Sequence, residues 1–302
     1  MLAILAPGQG SQTPSMLTAW LEDAELKNLL TSYSSAINLD LERLGTVADA
    51  DEIKDTANAQ PLIVAASLIS AHALGSDLHI SLFAGHSVGE IAAAALAGTI
   101  TDIDAMKLVH LRGQEMAKAA ALSPAGMAAV LGGERSVVLA AIKELGLVAA
   151  NDNGAGQIVA AGNLDALSQL APEGARVRAL AVAGAFHTPF MEPAVAPLRA
   201  MAADIEISAA KVSVISNRDG AVVRDGREVL DRIVNQIANP VRWDLCMETL
   251  RAQGVTGVIE LAPGGTLAGL IKRAAPEIEQ LALKSPADIA AAREFAARHG
   301  KA

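Results

Sequence analysis

Residues 82–98 read LFAGHSVGEIAAAALAG. An apolar run ends at Gly85, a serine stands between two glycines, and a small-residue run closes at Gly98. The run before the serine predicts a buried strand and the run after it a helix. Gly85-His86-Ser87-Val88-Gly89 therefore fits G-x-S-x-G in its strand–turn–helix setting, the nucleophile elbow. Glycines two residues to either side of Ser87 remove side chains that would clash in so sharp a turn. Such a turn lifts the hydroxyl above the sheet edge. It also aims the Val88 N–H and the positive end of the following helix at the oxygen of an attacked carbonyl. The other reading is an ordinary tight turn with a capping serine.

The pattern outward from this stretch is α/β. Leu2–Ala6 predicts a buried strand stopped by Pro7 and Gly8, and Pro61 is placed to open an apolar helix running to about Leu74. HISLFAG (79–85) is the strand entering the elbow. A helix follows from Thr101 as N-cap, its apolar stripe formed by Ala105, Leu108, Val109, Met116 and Ala119. Residues 125–184 change rhythm: strand, helix, two strands around an Asn-Gly turn, short helix, strand (RVRALAVAG, 176–184). That βαββαβ order is the ferredoxin-like unit, inserted in a larger one. Beyond it, helix and strand alternate again through KVSVISN (211–217), EVLDRIVNQIANP, DLCMETLRAQG, VTGVIELAP and TLAGLIKRA, and a polar-rich helix ends the chain. Alternating strands and helices argue for a mainly parallel sheet covered on both faces. The expected partition is 1–122 and 189–302 for the large α/β unit and 123–188 for the small subdomain.

Composition sets the bounds. Of 302 residues, 52% are hydrophobic but only 2% aromatic, and formal net charge is −9. Mean hydropathy is +0.34 and the pI about 5.2. A sizeable core is expected, while few aromatics and no basic run argue against nucleic acid as a partner. The one cysteine, Cys246, excludes an internal disulfide and suits a reducing compartment. The N-terminus lacks the basic region of a signal peptide. The longest apolar segment is broken by His72 and Asp77, short of the roughly 18 residues of a membrane span. The expectation is a cytoplasmic protein with no membrane contact.

Six histidines are candidates for a base: His72, His79, His86, His110, His187 and His299. His299 is expected in an exposed tail, His72 inside a helix and His79 at the far end of its strand. His86 adjoins Ser87 in a tight turn where neighbouring side chains diverge, so a structural role suits it better. His110 points to a different side of its helix from Arg112. His187, in VAGAFHTPFM, is the candidate base or a packed loop residue. No carboxylate sits in a motif between Ser87 and His187, but a backbone carbonyl can hold an imidazole tautomer equally well. Arg112 interrupts the apolar stripe of its helix: it pairs with Glu115, snorkels, or waits as a guanidinium fork for a substrate carboxylate. PGQGSQ (7–12) reads as a second oxyanion donor or a phosphate loop, although it lacks the Lys-Ser/Thr of a P-loop.

PGQGSQ, GHSVGE (85–90), LRGQEM (111–116), GAFHTPFM (184–191) and NPVRW (239–243) occur in one chain in this order. The set resembles the malonyl-CoA:acyl carrier protein transacylases and the related acyltransferase domains of polyketide synthases. The likeness runs from residue 1 to about 275, and APGQGSQ, AGQIVAAG and PVRWDLC look closest to actinobacterial members. The resemblance implies a hydrolase-like parallel-sheet core with an inserted ferredoxin-like subdomain, and malonyl transfer from malonyl-CoA to the phosphopantetheine thiol of acyl carrier protein, in fatty acid or polyketide synthesis. It implies Ser87 as acylated nucleophile, His187 as base and acid, and Arg112 as binder of the malonyl carboxylate. It further implies Gln9 and Val88 as oxyanion-hole donors and Gln236 as the carbonyl that orients the histidine. GAFH resembles the form that goes with malonyl rather than methylmalonyl. No metal or redox cofactor is implied, and a monomer is expected. Lys272 with Arg273, or Arg176 with Arg178, are candidates to meet an acidic carrier protein, the other reading being ordinary solvated surface. The competing expectations are a serine esterase or thioesterase and a non-catalytic carrier-binding module.

Overall fold

The computed structural model describes residues 1–300. It is a mixed α/β structure with two sheets, one of six strands and one of five. Along the chain, β1 (Leu2–Ala6) leads to α1 (Ala24–Ile37), α2 (Leu41–Thr46) and α3 (Thr56–Leu74). Then come β2 (Leu82–Gly85), α4 (Gly89–Leu96) and α5 (Asp102–Ala120). The next block is β3 (Ala125–Gly132), α6 (Arg135–Glu144), β4 (Val148–Asp152), β5 (Gln157–Asn163), α7 (Leu164–Gln169) and β6 (Ala175–Ala179). The remainder is α8 (Glu192–Asp204), β7 (Ser213–Ile215), β8 (Val222–Val223), α9 (Gly226–Gln236), β9 (Val241–Arg242), α10 (Trp243–Ala252), β10 (Gly257–Glu260), α11 (Thr266–Ala274), β11 (Glu279–Ala282) and α12 (Ile289–His299).

The larger sheet has the order β11-β10-β1-β2-β7-β8. Its first five strands are parallel, and β8 closes one edge antiparallel. Helices cover both faces of these strands, so every residue of β1, β2 and β10 is buried, as the unbroken apolar runs of β1 and β2 require; the buried Glu260 that ends β10 accepts from the N–H groups of Gly265, Leu267 and Ala268. The smaller sheet has the order β6-β3-β5-β4-β9. Its first four strands are antiparallel, and β9, returning from the far end of the chain, pairs parallel with β4 through Asn151 and Asp152. That short pairing ties the inserted segment to the later half of the molecule.

Several local expectations are corrected. α3 begins at Thr56, where the Asp55 side chain accepts from the Ala57 N–H, and Pro61 lies inside the helix rather than at its start. At 19 residues α3 is long and apolar enough to cross a membrane by length and composition, contrary to the count from sequence, and 72% of its window is buried inside the molecule. β2 starts at Leu82 rather than His79. β6 stops at Ala179 because the chain folds into a tight turn, with the Val182 N–H donating to the Leu180 carbonyl at 2.9 Å. His299 is not exposed: it is 9% accessible, packs on Phe295, and shares a hydrogen bond with Thr256 Oγ1 at 2.9 Å.

Candidate active site

β2 delivers the chain to the elbow at the carboxyl end of the parallel strands, where open α/β sheets form their crevices. Both glycines of the motif are sterically required. A Cβ on Gly85 would lie 2.0 Å from the Gly89 carbonyl carbon, and one on Gly89 would lie 2.3 Å from Ala6 O. Between them Ser87 adopts φ 53°, a left-handed conformation that few non-glycine residues take. α4 begins two residues later, so its amino end faces the serine.

Ser87 Oγ–H donates to His187 Nε2 at 2.7 Å, and His187 Nδ1–H donates to the Gln236 carbonyl at 2.8 Å. No carboxylate completes the pair among the described residues. His187 is 4% exposed, also has a left-handed backbone (φ 61°), and stands on the segment that leaves the small sheet and enters α8. Its pKa is lowered to about 3, first by burial and then by the positive charge of Arg112. The neutral imidazole, the form that accepts a proton, is therefore held well into the acid range.

Arg112 is 1% exposed on α5. Nη1 donates to Gln60 Oε1 at 2.6 Å and Nη2 to Ser87 Oγ at 3.2 Å. The snorkelling and Glu115 alternatives do not occur, because Glu115 pairs with Lys118 at 2.6 Å. No carboxylate forms an ion pair with Arg112 among the described residues. Burial lowers its pKa to about 10, which leaves it charged at neutral pH. An unpaired buried guanidinium beside a serine oxygen is costly in isolation and well suited to an incoming anion.

His86 turns away from Ser87. Its Nε2–H donates to Asn153 Oδ1 at 2.9 Å, and its ring stands edge-on to Trp243 at 5.6 Å. Gln9 lines the site, with its side chain donating to Thr56 Oγ1 at 3.3 Å. The backbone N–H groups of Gln9 and Val88 take no partner among the described residues. The Gln236 side chain is turned to the Pro240 carbonyl, so its main-chain oxygen alone reaches His187. The site opens into a cavity of about 530 Å³ between the two sheets. It is lined by Gln9, His86 and Ser87 on one side and by Met127, Asn151 and Val159 of the small sheet on the other.

Three further residues complete the geometry and are not marked by any motif: Gln60, Asn153 and Asn217. Each left a trace. Gln60 is a polar residue at the head of an apolar run. Asn153 begins the Asn-Gly turn. Asn217 ends the strand-like KVSVISN, at the carboxyl edge where sites gather.

A family model described as "Acyl transferase domain" matches residues 5–291. The chain belongs to the acyl transferase domain family. Within the family it is 51% identical over 299 residues to the malonyl CoA-acyl carrier protein transacylase of Mycobacterium tuberculosis (strain ATCC 25618 / H37Rv), covering 96% of this chain and 98% of that one. It is 33% identical to the protein of the same name from Escherichia coli (strain K12), over 97% and 99% of the two chains. Among solved structures it is similar to MCAT from Mycobacterium tuberculosis, with TM-score 0.93 and 50% identity over 97% and 99% of the chains. It is also similar to the acyl-carrier-protein S-malonyltransferase from Burkholderia pseudomallei 1710b, with TM-score 0.92 and 36% identity over 97% and 99%.

Proposed function

We propose that this acyltransferase moves malonyl from malonyl-CoA to the phosphopantetheine thiol of acyl carrier protein through a malonyl-Ser87 ester, in fatty acid or polyketide synthesis. The observation that carries the reading is one constellation. A serine hydroxyl lies 2.7 Å from a neutral buried histidine and 3.2 Å from a buried arginine that has no carboxylate partner.

The chemistry follows from that geometry. His187 Nε2 takes the hydroxyl proton as Ser87 Oγ bonds to the thioester carbon. The carbonyl oxygen becomes negative and is met by the free N–H groups of Val88 and Gln9, each such donor being worth about 3 kcal/mol. The C–S bond then breaks, and His187 returns the proton to the departing coenzyme A sulfur. A carrier thiol enters the same cavity, gives its proton to His187 and bonds to the ester carbon; the bond to Ser87 Oγ breaks, His187 returns the proton to that oxygen, and the carrier leaves malonylated. The Gln236 carbonyl keeps the proton on Nδ1 throughout, doing the orienting work of a triad carboxylate without adding charge. Arg112 pairs with the free carboxylate of malonyl, which distinguishes it from acetyl. His187 and Arg112 account for proton transfer and selectivity in this reading, which needs no metal or redox cofactor.

We further read the parallel sheet as a hydrolase-like core and the strand order β6-β3-β5-β4 as a ferredoxin-like subdomain, with boundaries 1–122, 123–188 and 189–302. Lys272 and Arg273, exposed on the last turn of the helix whose Leu267 and Leu270 line the cavity, are the docking cations for an acidic carrier; Arg176 and Arg178 on β6 are the other pair. A cytoplasmic monomer is the working form.

Radiolabelled malonyl-CoA tests the reading with wild type and Ser87→Ala. Wild type is expected to take up label that Ser87→Ala does not, and to pass it to acyl carrier protein. Absence of Ser87-dependent label rejects the transacylase and leaves the binding module. Label that passes to water as free malonate with carrier present favours the hydrolase.

A further inference from the structure

The ladder between β2 and β7 pairs Leu82 with Ser213, Phe83 with Val214 and Ala84 with Ile215, and there the regular pairing ends. Continuing that register by two residues sets Asn217 opposite His86. In a parallel ladder, a residue opposite His86 would donate its own N–H to the carbonyl of Gly85 and accept the N–H of Ser87. The Asn217 main chain does neither. Its N–H donates to Glu90 Oε1 at 2.8 Å, and its carbonyl accepts from the Arg242 N–H at 2.7 Å. The side chain makes the two missing bonds. Asn217 Nδ2 donates to Gly85 O at 2.7 Å, and Asn217 Oδ1 accepts from Ser87 N–H at 2.7 Å. The carboxamide thus extends the sheet by one residue past the end of the strand, at the point where the nucleophile turns left-handed. Asn217 is wholly buried, and Glu90, which holds it from α4, is 3% exposed.

We propose that Asn217 is a positioning residue for acyl transfer: by pinning Gly85 O and Ser87 N–H from inside, it holds the strained elbow so that Ser87 Oγ and the Val88 N–H keep their aim. This deepens the transacylase reading and rests on it. An asparagine suits the task because a primary amide carries both a donor and an acceptor, and an ionised carboxylate of the same size has acceptors alone. Glu90 supports the arrangement by fixing the Asn217 main chain. Burial raises the Glu90 pKa to about 8, so much of its population is uncharged at neutral pH.

The test is rapid-quench malonylation of the full chain, following labelled Ser87 in wild type, Asn217→Ala and Asn217→Asp. Burst amplitude counts competent molecules, and the burst rate constant reports how well Ser87 is aimed. For Asn217→Ala the rate constant is expected to fall about 100-fold, the scale of an ångström-sized misplacement. KM for malonyl-CoA should stay within about threefold, because Arg112 and Gln9 are untouched. A reduced amplitude with a wild-type rate constant overturns the proposal and reduces Asn217 to a folding residue.

Should Asn217→Ala not fold, Asn217→Asp decides. Only its protonated carboxyl can both accept from Ser87 N–H and donate to Gly85 O. The groups around that site are Glu90 on α4, Cys246 on α10, and Asp219, Arg232 and Arg112, which act on Glu90. The rate constant of Asn217→Asp relative to wild type is expected to fall as pH rises. A ratio independent of pH overturns the proposal. A wild-type chain that gives no Ser87 label would instead remove the transacylase reading itself, so the two failures are separable.

Discussion

Arg112→Ala removes the one buried cation that touches the nucleophile, and the two readouts it should change are independent. Arg112 is 1% exposed and its protein partners, Gln60 and Ser87, are neutral. The other cation on the cavity wall, Lys54, is exposed and paired with Asp51 at 2.8 Å. Removing one member of a buried charge pair costs about 3–5 kcal/mol. At about 1.4 kcal/mol per decade that is a loss of between two and nearly four decades in kcat/KM for malonyl-CoA. Acetyl-CoA has no carboxylate to strand, so its kcat/KM should hold or rise, and the malonyl-to-acetyl ratio should fall by at least two decades. The second readout is pH. The charge of Arg112 is the second cause, after burial, of the low His187 pKa. Without it the acid limb of kcat/KM for acetyl-CoA should move to higher pH. Both are measured by transfer of labelled acyl groups to a phosphopantetheine carrier across a pH series. An equal loss for malonyl and acetyl with an unmoved acid limb refutes the reasoning and makes Arg112 a structural residue.

Two more outcomes are expected. In the wild type, the acid limb of kcat/KM should lie far below the ordinary histidine pKa, because burial and Arg112 hold His187 neutral in the free enzyme; the limb of kcat should lie higher, since a bound malonyl carboxylate neutralises Arg112, and coincident limbs in steady-state kinetics would contradict this. Gly85→Ala puts a methyl 2.0 Å from the Gly89 backbone, which cannot yield as a side chain can; it should abolish Ser87 labelling and lower the melting temperature, and a fully labelled variant would show that the turn is not as tight as described.

Local features were legible in the sequence. The elbow is one, because strand, turn and helix are contiguous and its glycines announce the steric problem they solve. Arg112 is another, a charge inside an apolar stripe. The proposed base was legible only through the family resemblance. His187 and Ser87 are 100 residues apart, and nothing in GAFHTPFM specifies which strand end it meets. Gln236 is harder still, since its contribution is a main-chain carbonyl that any residue supplies. Asn217 escapes for the converse reason, a side chain performing a main-chain task. Residues 12–60 hold no catalytic motif, yet α1 and α2 carry clear signals: Asp23 and Asp40 as N-caps, and Leu26, Leu30, Tyr33 and Ile37 at helical spacing. Pro61 drew attention from Asp55, which caps α3, and a short β-branched and alanine run let β6 be read beyond the turn that ends it. His299 shows that a polar-looking terminal helix still buries one face when a strand and a helix, here β10 and α3, lie beneath it.

Ser87 and His187, the two residues to which the proposed mechanism gives the proton exchange, both sit at positive φ. At each position the backbone asks for glycine and the chemistry asks for a side chain, and the chain has answered the chemistry. The reactive pair is therefore aimed by its main chain before any rotamer is chosen. Tolerance to mutation should thin out not around the two side chains but along the strand ends and loops that hold those two peptide units in their unfavoured state.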